Sequence, residues 1–347
     1  LALSTAMLTF TNNTPVFAGE QSAALTVTGT PTINLELKDT SRPFVQLVSD
    51  VVYAQVPDRG YTNKALTMHL VIPQDKKPHP VILYINGGGF INANKDGYMQ
   101  QWLDLAEHGY VVASMTYRVA PTSTFPAPLE DTNAVMEWIY ENAPEYGLED
   151  VKSAVRFLRA NAEKFSIDAK HIGVFGGSAG GYLAAMAGTT NGVKGFDKGE
   201  NLNYSSDVQA VVDVYGVSDV TKIGADYNEA VQKTHESAAA TEALWVNGSP
   251  VFGGKDGGIK ANPEGAKAAN PLTYISKKTA PFLLMHGDAD VLVSPSQTEL
   301  LREELAKHNI EATRYLVKGA AHGGPYWVQP EVMDIVIAFY DKHLKNE

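Results

Sequence analysis

The sequence predicts an α/β fold: one open, mostly parallel, doubly wound sheet with helices on both faces and a small lid-like insertion. Three observations predict it. Short β-rich runs alternate with helical patterns along most of the chain. Several of the runs are apolar throughout, as in Val81-Ile82-Leu83-Tyr84-Ile85, which suits strands covered on both faces. Glycine-rich turns follow the most apolar runs, where an open sheet of this kind binds its ligands.

In chain order, Thr67 to Ile72 and Pro80 to Ile85 read as strands, Trp102 to His108 as a helix and Val111 to Tyr117 as the next strand. His171 to Phe175 precedes a helix starting near Ala179, and Ala210 to Tyr215 is a further strand. Pro281 to His286 leads into a helical pattern over Ser294 to His308, and Thr313 to Val317 precedes the last helix. The stretch Gly29 to Thr40 reads as a linker.

Two features interrupt the alternation. Leu129-Glu130-Asp131 returns as Leu148-Glu149-Asp150, and Asn142-Ala143 returns at the same spacing as Asn161-Ala162, which implies two consecutive amphipathic helices broken at Pro144 and Gly147. An inserted helix is accordingly placed at about 131–150. From about 220 to 270 the pattern weakens, with a helical run around Ala238 to Ala240 and a Gly-rich stretch from Asn247 to Gly258. Long irregular segments in compact domains tend to serve the site, so this one reads as a lid, with a plain surface loop as the alternative.

Composition excludes several functions. In 347 residues, 44% are hydrophobic and 19% charged, which argues against wholesale disorder, a fibre or a coiled coil. A net charge of -11 repels phosphate backbones and anionic lipid, so neither nucleic acid nor a membrane is an expected partner. With no cysteine there is no disulfide, thiolate nucleophile or cysteine-ligated metal. The histidines are scattered and no His-Glu-x-x-His appears, so no metal or other cofactor is implied. The apolar run Leu1 to Phe10 and the small residue closing Val16-Phe17-Ala18 ahead of Gly19 read as a secretory signal, with residues 1–18 as its remnant and 19–347 as a single domain. That run is too short to span a bilayer, which needs ~20 residues, so the expected product is secreted or periplasmic.

The chemistry-bearing motif is Gly176-Gly177-Ser178-Ala179-Gly180-Gly181, lying between a strand and a helix-compatible segment. A strand turning sharply into a helix projects a serine oxygen beyond the sheet, and only small neighbours fit around such a turn. Ser178 is therefore the candidate nucleophile; the phosphate-binding patterns that also use glycine-rich turns are absent. A serine needs a base, and of nine histidines His322, in Gly319-Ala320-Ala321-His322-Gly323-Gly324, alone lies on a glycine-rich loop after a late strand. The acid comes from Gly287-Asp288-Ala289-Asp290: Asp288 suits the turn, which leaves Asp290 for the imidazole. Asn86-Gly87-Gly88-Gly89-Phe90 ends an apolar strand, and the N–H groups of Gly88, Gly89 and Ala179 are the candidate oxyanion hole, each donor worth ~3-4 kcal/mol.

These motifs resemble the α/β-hydrolase carboxylesterases of the hormone-sensitive-lipase-like group. Asn86-Gly87-Gly88-Gly89-Phe90 is similar to that group's His-Gly-Gly-Gly motif, with Asn86 in the His position. Tyr117-Arg118-Val119-Ala120-Pro121, followed by Phe125-Pro126-Ala127, is similar to its Tyr-Arg-Leu-Ala-Pro and Phe-Pro-Ala stretch, where the Arg is structural. The tail from Asn270-Pro271 through His286-Gly287-Asp288-Ala289-Asp290 to His322 most resembles bacterial feruloyl and acetyl xylan esterases, over about residues 65–345 in all. The resemblance implies a serine carboxylester hydrolase that cleaves short acyl or hydroxycinnamoyl esters, on small molecules or plant carbohydrate, through an acyl-enzyme on Ser178. It marks the echoed helix as extra material. Two alternatives remain open: an exported serine peptidase of prolyl-oligopeptidase type, and a catalytically silent hydrolase fold used for binding.

Overall fold

The computed structural model describes residues 34–58, 61–120, 143–250 and 254–345. The processing site expected at Ala18, the Phe125-Pro126-Ala127 stretch and the first copy of the echoed helix lie outside the described residues. The chain comprises two compact units, Leu1–Ser41 and Arg42–Glu347. In the first unit residues 34–41 are irregular, with the Ser41 N–H donating to Asp39 Oδ1.

The second unit contains the sheet. Its elements are β1 Val45–Asp58, β2 Tyr61–Pro73, β3 His79–Ile85, α1 Met99–Glu107, β4 Val111–Met115, α2 Ala143–Ala160, β5 Ile167–Gly177 and α3 Ala179–Thr189. There follow β6 Ala210–Val214, α4 Glu229–His235, α5 Thr241–Asn247, α6 Pro263–Ala268, β7 Phe282–Gly287, α7 Ser296–Lys307, β8 Ala312–Val317 and α8 Pro330–Tyr340. Among the described residues the strands form one sheet in the order β1-β2-β4-β3-β5-β6-β7-β8. β1 and β2 form an antiparallel hairpin and β2 meets β4 antiparallel; every other pairing is parallel.

The apolar strand runs sit where their composition requires. Val81 to Ile85 are buried, and two separate cores cover the two faces of the sheet. One core joins α2, α3 and α7 to the sheet through Leu148, Leu183 and Leu301. Trp102 of α1 and Tyr340 of α8 belong to the other. No helix among the described residues is long and apolar enough to cross a membrane.

Two local expectations are corrected, and one strand is found that carries no sequence signal. β1 and the start of β2 went unread because register shifts at Val48/Val51, Val52/Ala54 and Val56/Asp58 destroy the period-two alternation by which a strand is recognised. α2 runs unbroken through Gly147, because a Cβ there would lie 2.6 Å from Trp245 Cη2; the glycine makes room for an indole and does not end a helix. Ala238 to Ala240 form the turn between α4 and α5, where the Ser237 hydroxyl accepts the Ala239 N–H at 3.2 Å and competes with helix formation. Arg118 beyond β4 is buried against Asp150 of α2, its Nη2 donating to Oδ1 at 2.8 Å, so this arginine ties strand to helix.

Candidate active site

The loops that leave the carboxyl ends of β3, β5, β7 and β8 converge on one edge of the sheet. β5 ends at Gly177 and α3 begins at Ala179; Ser178 between them has φ 57° and ψ -125°, a conformation a side chain adopts only when its surroundings enforce it. Close packing enforces it here. A Cβ at Gly180 would fall onto the Ile85 carbonyl, and one at Gly87 would lie 2.6 Å from the Gly177 carbonyl oxygen and 2.9 Å from Ser178 Cβ. The loop after β3 is therefore pressed directly against the serine turn.

His322 and Asp290 reach the same point from β8 and β7. The Ser178 hydroxyl donates to His322 Nε2 at 2.8 Å, and His322 Nδ1 donates to Asp290 Oδ2 at 2.7 Å. Asp290 Oδ1 accepts the N–H groups of Leu292 and Val293 at 2.9 and 3.0 Å. Burial pushes this carboxyl up, but hydrogen bonds from His286 and His322 outweigh it and hold the group well below the usual carboxylate range. It is an ionised partner for an imidazolium throughout the neutral range. Asp288, exposed, accepts the Gly319 N–H at 2.6 Å and so anchors the foot of the His322 loop. Higher on that loop, Trp327 Nε1 donates to the Ala321 carbonyl at 3.1 Å and the Gly324 N–H reaches the Tyr98 hydroxyl at 3.2 Å.

Gly88, Gly89 and Ala179 line the cavity that holds Ser178 and His322, a space of about 600 Å³. Among the described residues no acceptor takes the N–H of Gly88 or Gly89, and Ala179, at the first position of α3, has no intrahelical partner. Three donors thus remain for an oxygen at the serine. Asn86 fills the position that resemblance gives to His: its Nδ2 donates to Ser114 Oγ at 3.3 Å, its carbonyl accepts the Tyr117 hydroxyl at 2.9 Å, and the loop is pinned from two sides.

Sequence reasoning missed several residues of this site. His286, buried at the end of β7, lies 3.2 Å from Asp290 Oδ2; the only sequence signal was its place four residues before the acid. Tyr215 follows β6 with φ 45°, and its ring packs against His322 at a centroid distance of 4.6 Å. Ile223, His235, Thr241 and Glu242, from the segment between β6 and β7, complete the cavity wall. Neither Trp245 nor Trp327 lines the cavity: Trp245 is buried against Phe90 at 5.2 Å, and Trp327 against Tyr215 at 4.8 Å.

The strand order, with its antiparallel second strand and a serine on the turn out of the fifth, is that of the α/β-hydrolase fold. Within that class the chain belongs to the BD-FAE family, whose sequence profile matches residues 68–149 and 147–305. It is 29% identical over 250 residues to the esterase LipC of Mycobacterium tuberculosis, a match covering 71% of this chain and 53% of LipC. The chain spans about half the length of the curated relatives it matches first. Among solved structures, a truncated carbohydrate esterase from gut microbiota superposes with a TM-score of 0.68 at 24% identity, covering 89% of this chain and 99% of that one. An acetyl ester-xyloside bifunctional hydrolase from Caldicellulosiruptor lactoaceticus does so with a TM-score of 0.58 at 22% identity, covering 80% and 88%.

Proposed function

We propose that the chain is a serine carboxylester hydrolase acting on short acyl or hydroxycinnamoyl esters, including those of plant carbohydrate. The observation that carries this reading is the unbroken hydrogen-bonded line from Ser178 through His322 to Asp290, opening on a cavity with unengaged N–H donors. His322 Nε2 takes the hydroxyl proton as Ser178 Oγ attacks the ester carbonyl carbon. Asp290 holds the ring in the tautomer that can do so and stabilises the imidazolium that forms. The carbonyl oxygen, now negative, is met by the N–H groups of Gly88, Gly89 and Ala179. His322 returns the proton to the leaving alcohol, and a water activated by the same nitrogen then releases the acid from Ser178.

The names of the relatives support the ester class, and the carbohydrate-directed ones among the structural neighbours support the sugar-linked part of the reading. An exported enzyme fits the apolar N-terminal run and Val16-Phe17-Ala18; sequencing the mature N-terminus from the native host tests this, with Gly19 expected. For the chemistry, a fluorophosphonate should label the protein at Ser178 and leave Ser178→Ala untouched. Asp290→Asn should fold and lose turnover on the order of 10⁴-fold. Absence of labelling would point to a binding protein, and long-chain triglycerides hydrolysed faster than every short ester would overturn the substrate class.

A further inference from the structure

The cavity contains a second carboxylate–imidazole pair. His235 ends α4 and Glu242 lies in the first turn of α5, so two short helices between β6 and β7 bring them together. Glu242 is 3% exposed; its Oε1 receives His235 Nδ1 at 2.7 Å. The imidazole lies over Gly224, where a Cβ would come within 2.6 Å of ring atom Cδ2, so the backbone is shaped to seat it. In this contact the carboxyl oxygen is the acceptor and Nδ1 the donor. The other ring nitrogen, Nε2, has no hydrogen-bond partner among the described residues and is not a buried unpaired atom.

Asp290 and His322 use the same arrangement to present Nε2 to the Ser178 hydroxyl. At His235 no hydroxyl of the described chain meets Nε2, yet His235 and Glu242 line the same cavity as Ser178. Phe90, Val217, Ile223 and Val293 share that wall and offer no polar side-chain atom. A substrate hydroxyl buried against them loses its water, and His235 Nε2 is one of the polar groups of the cavity wall, with Asn92, Tyr98 and Thr241, that can replace it. Because a hydroxyl both donates and accepts, it fits Nε2 in either protonation state of the ring.

We infer that His235, oriented by Glu242, is a specificity-determining residue that receives a hydroxyl group of the ester substrate. This rests on the reading of Ser178 as the ester nucleophile. Two sources supply such a hydroxyl, a phenol on an aromatic acyl group or a sugar on the alcohol side, and matched pairs separate them: methyl 4-hydroxycinnamate against methyl cinnamate, and an acetylated methyl xyloside against cyclohexyl acetate.

In the wild-type enzyme one pair should show a kcat/KM preference of about tenfold or more for the hydroxylated member. His235→Phe, which keeps a ring over Gly224 without an acceptor, should erase that preference, and Glu242→Gln should weaken it. An equal loss on both members, or a preference that survives His235→Phe, overturns the inference while leaving the esterase reading intact. Should His235→Phe fail to fold by its melting curve, His235→Leu, which likewise has no hydrogen-bonding side-chain atom, carries the same comparison. If the wild type cleaves no ester, the esterase reading falls. The pair is then judged by calorimetric binding of 4-hydroxycinnamate and cinnamate to the Ser178→Ala protein, where equal affinity overturns it.

Discussion

His286 Nε2 lies 3.2 Å from Asp290 Oδ2, the same oxygen that receives His322 Nδ1 at 2.7 Å, so two imidazoles converge on one carboxylate oxygen. His286 is fully buried; its Nε2 also points at the Val293 carbonyl at 3.0 Å, and its Nδ1 faces Thr298 Oγ1 at 3.2 Å. With two acceptors at Nε2, that nitrogen bears the proton and Nδ1 accepts from the threonine, which in turn accepts Arg314 Nε at 2.9 Å. A line of hydrogen bonds from α7 and β8 thus fixes the acid from behind.

His286→Leu, which has no donor, should therefore lower kcat about tenfold with little change in KM, because a misoriented acid is felt in the transition state rather than in substrate binding. A second readout distinguishes this from general loosening. Asp290 titrates below its unfolded value of 3.8, so its contribution to stability is complete above that value and is lost as pH falls toward its folded pKa. Leu removes that donor, the depression shrinks, and the loss of stability below about pH 4 should be shallower in His286→Leu than in wild type, as followed by urea midpoints.

A buried carboxyl elsewhere in the same edge has the opposite sign. Asp213 on β6 is fully buried, and its Oδ1 accepts the Gly216 N–H at 2.9 Å while Oδ2 has no partner among the described residues. Burial raises its pKa from 3.8 to about 7. The folded state therefore holds this proton more tightly than the unfolded one, and stability falls as pH rises from about 4 to about 7, by an amount on the order of a few kcal/mol. Asp213→Asn keeps the acceptor for Gly216 and cannot ionise. Its urea midpoint should lose that slope and lie above the wild-type midpoint at pH 8; an unchanged slope would assign the effect to another group.

The parts of this molecule that were legible from sequence are those encoded locally. A serine between glycines after an apolar run, and a histidine between glycines after a late strand, announce themselves because the turns they need allow few other residues. Asp290 was separable from Asp288 because one turn cannot place both side chains alike. What was hidden depends on contacts distant in the chain: Gly147 matters through Trp245, and His235 becomes a pocket wall only when α4 and α5 pack in an irregular segment without periodicity. β1 was hidden for another reason, since its bulges satisfy the hairpin's twist at the expense of the alternation that marks a strand.

Gly147 supplies the last test, because two general rules disagree there. Glycine inside a helix is ordinarily ~1 kcal/mol worse than alanine, so Gly147→Ala in α2 should stabilise on propensity alone. The added methyl would lie 2.6 Å from Trp245 Cη2 and 3.2 Å from Leu183 Cδ2, in a core where overpacking costs ~1–3 kcal/mol. Overpacking should win, and the variant should melt below wild type. Activity should fall as well: Trp245 stacks on Phe90 with an interplanar angle of 23°, and Phe90 directly follows Gly88 and Gly89, so a displaced indole disturbs the donors beside Ser178. Trp245→Phe removes the six-membered ring that the methyl would strike. In that background Gly147→Ala should become neutral or stabilising, and the double-mutant cycle should return a favourable coupling of 1 kcal/mol or more, roughly the size of the clash relieved. Additive effects would mean that the helix, not the indole, requires the glycine.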